Sequence, residues 1–114
     1  MIDTRLTSDE VRKIIRSVIL NTLKEYGLVG KRLILFGSRA RGEERRSSDW
    51  DVLVIAEGKL DRKTAREVKA IVRMELARYK IPIDIVLQTS DEIERRKNDV
   101  GYLAYYALKE GVDL

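Results

Sequence analysis

The sequence predicts an α/β (α+β) domain: a mixed sheet of three strands, or slightly more, flanked by helices. Three observations carry that expectation. Apolar residues recur at helical spacing in two long stretches. Three short apolar runs are bounded by glycine, aspartate or proline, and one helical stretch joins two of them as a crossover. With 114 residues, 44% hydrophobic and 37% charged, one domain over residues 1–114 with a single core is expected, and disorder is not.

The elements follow in order. Thr7-Ser8-Asp9-Glu10 reads as a capping box, with Leu6 and Val11 as its hydrophobic staple. Val11, Ile14, Ile15, Val18, Ile19, Leu23 and Tyr26 then mark one face of a first helix, and Gly27 stops it. Leu33–Phe36 is a first strand ending at Gly37, and Trp50–Ala56 is a second after a polar loop. Asp61 caps a helix whose Ala65, Val68, Ile71, Val72, Leu76 and Tyr79 share a face. Ile81–Leu87 is the third strand, with proline near its start where a missing donor is tolerated. Thr89-Ser90-Asp91-Glu92 repeats the capping pattern and opens a C-terminal helical region, broken at Gly101 with Asn98 as a second cap. The crossover helix makes the second and third strands parallel. The first strand must run antiparallel to the second for Gly37 to reach the end where the second begins.

Composition removes whole classes of chemistry. Without cysteine or histidine there is no disulfide, thiolate nucleophile or zinc–sulfur site. Acid–base work falls to Asp, Glu, Lys, Tyr or Ser, and any metal is a hard one. No apolar run approaches the roughly 20 residues of a membrane helix. MIDTRLTSDE carries no signal-peptide core, so a cytoplasmic setting away from membranes is expected. A net charge of +4 favours anionic partners, but no nucleic-acid-binding motif accompanies it, so direct nucleic-acid binding is not expected. Few amide side chains (Asn21, Asn98, Gln88) beside abundant Lys, Arg and Glu lean toward a thermophilic source.

The chemistry concentrates in residues 37–51, GSRARGEERRSSDWD. Asp49 and Asp51 alternate with Trp50, so they share one strand face and Trp50 faces the core. Asp84 lies early in the third strand, as Asp51 does in the second, so all three carboxylates converge at one end of the sheet. Such neighbours repel unless a cation lies between them. Alone, Gly-Ser is a turn and Asp-x-Asp a strand start. Asp84 between Ile83 and Ile85 resists that reading, because a carboxylate in a buried strand is costly without a partner. A three-carboxylate end suits two Mg²⁺ ions roughly 3.5–4 Å apart, as in phosphoryl or nucleotidyl transfer. Gly37 lets the backbone approach a phosphate, Ser38 offers a hydroxyl and an amide, and Arg39 and Arg41 either add phosphate-matched guanidinium groups or form a solvated basic loop. Arg45 and Arg46 balance Glu43 and Glu44 as surface charge, and Ser47 and Ser48 read as loop hydrogen-bonders. Leu53, Ile55 and Val86 continue the acidic face as apolar surface, which the C-terminal helix or another protomer must cover. Tyr102, Tyr105 and Tyr106 gather on that last helix, for an interface or for packing.

At these residues the chain resembles the nucleotidyltransferases of the DNA polymerase β superfamily. Those show Gly-Ser, about ten residues, then Asp-x-Asp, here Gly37-Ser38, ten residues, Asp49-Trp50-Asp51, with Asp84 as the later aspartate. GSRARG with SDWD is similar to the minimal nucleotidyltransferases (MNT) in particular. The resemblance implies the palm-like nucleotidyltransferase fold, ATP as donor and two Mg²⁺ ions, with Mn²⁺ a substitute. It implies Asp49, Asp51 and Asp84 as metal ligands and catalytic residues, with Asp84 activating the acceptor hydroxyl. It implies Gly37 and Ser38 as the triphosphate-binding pair. It also implies a HEPN-domain toxin as partner, silenced when the nucleotidyltransferase moves AMP from ATP onto its tyrosine. About thirty residues follow Asp84, so no acceptor domain is expected, and the acceptor surface belongs to a partner or a second copy. The competing readings are an antitoxin that blocks its partner sterically and a transferase acting on a small molecule.

Overall fold

The computed structural model describes residues 6–42, 49–96, 99 and 103–114. Along the chain run α1 (Ser8–Glu25), β1 (Val29–Phe36), β2 (Trp50–Glu57), α2 (Arg62–Ala77), β3 (Ile83–Thr89), α3 (Ser90–Arg96), α4 (Leu103–Glu110) and β4 (Val112–Asp113). The strands form one sheet in the order β3-β2-β1-β4. β2 and β3 are parallel across the α2 crossover, and β1 is antiparallel to both β2 and β4. The expected mixed sheet is present, with one strand more than the hydrophobic runs marked.

Local chemistry accounts for the helix ends. Thr7 Oγ1 accepts from the Glu10 amide at 3.1 Å, and Glu10 accepts in return from the Thr7 amide at 3.0 Å. At the other end Gly27, at φ +72°, donates to the Lys24 carbonyl while Leu28 donates to Leu23. This two-bond stop buries Leu23 and Leu28 together. Asp61 caps α2 as expected, accepting from the Thr64 amide at 2.7 Å. At α3 the Thr89 hydroxyl accepts from the Glu92 amide at 3.2 Å, half of the reciprocal pattern.

Four strand boundaries differ from the sequence reading: β2 runs on to Glu57 and β3 to Thr89, and two strands start elsewhere. β1 begins at Val29, because its exposed first half is held by pairing with β2 as far as Glu57 and needs no apolar side chains. β3 begins at Ile83, because Ile81 belongs to the stop of α2. Lys80 turns left-handed at φ 58°, and the Ile81 amide donates to the Leu76 carbonyl at 3.1 Å. The expected break at Gly101 and cap at Asn98 lie outside the described residues, as does Tyr102.

The sheet separates two apolar layers. Leu33, Leu35, Trp50, Val52, Val54, Ile83, Ile85 and Leu87 pack under α1 and α2. Ile34, Leu53 and Ile55 pack under Ile93 of α3 and Ala104 and Ala107 of α4, with Val86 beside them. The apolar continuation of the acidic face is thus covered by the chain's own C-terminal helices. Tyr105 is half-buried and Tyr106 exposed, their rings edge-on with centroids 5.2 Å apart. Among the described residues no helix is long and apolar enough to cross a membrane.

Candidate active site

The antiparallel β1–β2 pair sets Phe36 opposite Asp51, so the chain leaves β1 beside the start of β2. Gly37 makes that exit at φ +76°, a region open to glycine at little cost. A Cβ at this position would land on the Asp51 carboxylate oxygen. The glycine is therefore required by the carboxylate as well as by the turn. From there residues 38–42 stay in tight turns, with the Arg41 amide donating to the Gly37 carbonyl at 3.2 Å. Ser38 is half-buried in this turn, directly after Gly37.

Across the parallel pair Asp51 and Asp84 are direct register partners, as equal strand parity requires. Burial pushes the Asp51 carboxyl above its ordinary value, and repulsion from Asp84 and then Asp49 pushes it further. The Arg41 charge opposes that rise. Asp51 is thus the centre of the acidic end. Asp49 is exposed, just before β2, and acts on Asp51 through its charge. The three carboxylates do not form a closed cage: among the described residues no group of three acidic side chains is already gathered around a metal position.

The two arginines after Ser38 separate. The Arg39 guanidinium lies 4.3 Å from the Trp50 ring centroid, against the buried residue whose side chain belongs to the layer opposite Asp51. The Arg41 charge acts on the Asp51 carboxylate. Trp50 is core, 5% exposed, as its strand parity predicts. Ser47, Ser48 and the charged residues 43–46 lie outside the described residues.

Arg73 of α2 is a participant that sequence reasoning missed. Its Nη2 stands 3.8 Å from Asp84 Oδ1. The signal was available only through topology, because the crossover brings the last turns of α2 beside the start of β3.

The donor set decides which cation fits. Two aspartates in register, one with its acid form favoured by burial and then by its neighbours' charge, offer hard oxygens that repel each other. That suits a divalent cation such as Mg²⁺ or Mn²⁺ and no soft metal. An open cleft of about 340 Å³ lies at the other end of β2 and β3, lined by Ala56, Glu57, Gly58, Thr89, Ser90 and Asp91. None of the three aspartates borders it.

Comparison with known proteins bears on the fold and the family. No curated protein sequence matches the chain. A crystal structure of a toxin–antitoxin complex with AMP-PNP aligns over 95% of this chain and 72% of its own, at TM-score 0.56 and 21% identity. A doubly substituted variant of the MntA–HpeT toxin–antitoxin pair aligns over the same shares, at TM-score 0.55 and 19% identity. A singly substituted variant of that pair covers 96% and 72%, at TM-score 0.54 and 22% identity. At such identities the likeness shows a common fold. Residues 16–113, which hold every strand and all three aspartates, match the nucleotidyltransferase domain family, and the chain belongs to that family.

Proposed function

We propose that this chain is an antitoxin nucleotidyltransferase that moves AMP from ATP onto a hydroxyl of a partner toxin, a tyrosine of a HEPN-domain ribonuclease. The observation that carries the reading is the placement of Asp51, in register with Asp84 and closed against Gly37. Support for the partner comes from the toxin–antitoxin complexes that share the fold, one of them holding an ATP analogue.

Each residue then has a task. Gly37 and Ser38 receive the triphosphate, with backbone unscreened by a Cβ at Gly37. Arg41 balances negative charge beside Asp51, while Arg39 stiffens the loop against Trp50 and supplies a second cation for phosphate. Asp49, Asp51 and Asp84 would hold two Mg²⁺ ions, which would supply charge stabilisation to the attacking and leaving oxygens. Asp84 accepts the proton of the acceptor hydroxyl. The hydroxyl oxygen forms a bond to the α-phosphorus, the bond to the bridging oxygen breaks, and pyrophosphate leaves. The setting is cytoplasmic, and Mn²⁺ can replace Mg²⁺.

Intact-mass spectrometry of the partner, incubated with this chain, ATP and Mg²⁺, tests the reading. The expected result is a mass gain of AMP with the wild type and none with Asp49→Ala combined with Asp51→Ala. A partner neutralised equally by both versions without a mass gain would establish the steric antitoxin instead.

A further inference from the structure

The acidic end receives one charge from the opposite layer of the sheet. α2 packs on the Trp50 side through Val68, Val72 and Leu76. Arg73, one residue beyond Val72, leaves that face and brings its guanidinium around β3 to Asp84. It can do so because β3 is the edge of the sheet, with no further strand in the way. At 3.8 Å the contact is too long for a hydrogen bond and acts as charge on charge. The contact sets a positive charge beside Asp84 without fixing it in a hydrogen-bonded fork.

We propose that Arg73 is a positioning residue for Asp84, a resident counter-charge that holds its carboxylate beside Asp51 in the cation-free chain and competes with a divalent cation for it. The inference rests on the reading of the aspartates as a cation site. Both side chains are about half exposed, at 52% and 64%, so solvent screens the pair. An exposed ion pair of this kind corresponds to a factor of up to about five in an equilibrium.

The test is Mn²⁺ binding to the full chain without nucleotide, followed by electron paramagnetic resonance of the free ion. Arg73→Ala should bind Mn²⁺ about two- to five-fold more tightly than wild type at low salt, and the gap should close as ionic strength rises. Arg73→Lys should stay near wild type, because it keeps the charge. In an Asp84→Asn background Arg73→Ala should change nothing, which a general effect on folding would not reproduce. Unchanged or weaker Mn²⁺ binding in Arg73→Ala would overturn the inference, as would tightening that persists beside Asp84→Asn. If Asp51→Asn and Asp84→Asn themselves leave Mn²⁺ binding intact, the cation site falls and the inference with it. If those two weaken binding while Arg73→Ala is silent, the site stands and Arg73 has no such role.

Discussion

Gly37 sits at φ +76° with the Asp51 carboxylate against it, so alanine there meets a strained backbone and a carboxylate oxygen at once. The left-handed conformation alone is worth about 1–2 kcal/mol. Gly37→Ala is expected to lose at least that in urea unfolding and to displace Asp51, measured as weakened ATP binding by calorimetry. Asp51 supplies a prediction with a definite sign. Its folded-state pKa is raised by burial and by its acidic neighbours, so the folded chain holds that proton more tightly than the unfolded one. The associated stability is present below the ordinary value of 3.8 and is lost as pH rises through the raised one. Asp51→Asn should therefore melt higher than wild type at pH 7, with the gap closing in acid, while losing transfer activity. Asp84→Asn should lower transfer roughly 10²–10⁴-fold and leave most ATP binding in place, as loss of a general base does. The place of Gly37 at the end of β1 and the matching positions of Asp51 and Asp84 were legible from element order and strand parity. The close approach of Asp51 to Gly37, which leaves no room for a Cβ, was not, because it depends on the register of a long-range pair.

The elements show where local signals suffice and where they stop. Both caps on α1 and the Asp61 cap on α2 lie within a few residues of what they bond, so the sequence alone locates them. Lys80 closes α2 in a conformation that suits glycine, and nothing in its side chain announces it. Lys80→Gly should stabilise the chain by about 0.5–1 kcal/mol in chemical denaturation, relief of left-handed strain outweighing the extra freedom of the unfolded glycine. β4 is two residues long and exposed, held by pairing with Ile34 and Leu35 and by the Arg32–Asp113 contact at 3.2 Å. No periodicity can mark so short a strand.

For the whole molecule, the acidic end concentrates repulsion that the rest of the fold must absorb. A cation bound by the folded chain alone raises its stability by mass action. Added Mg²⁺ or Mn²⁺ should raise the wild-type melting temperature, whereas Asp51→Asn should show little change by differential scanning fluorimetry. The sequence by itself determined the alternation of helices and strands and the matching positions of Asp51 and Asp84 in neighbouring strands, with Trp50 turned to the core. Those properties follow from periods of 3.6 and 2 within single elements. Only the tertiary structure decided how far the chain had gathered those aspartates, that α3 and α4 cover Leu53 and Ile55, and that Arg73 reaches Asp84. Each of these depends on which strand ends the sheet and which backbone groups pair across it. The bonds that decide it, Ile34 to Asp113 among them, join parts of the chain too far apart for any local pattern to record.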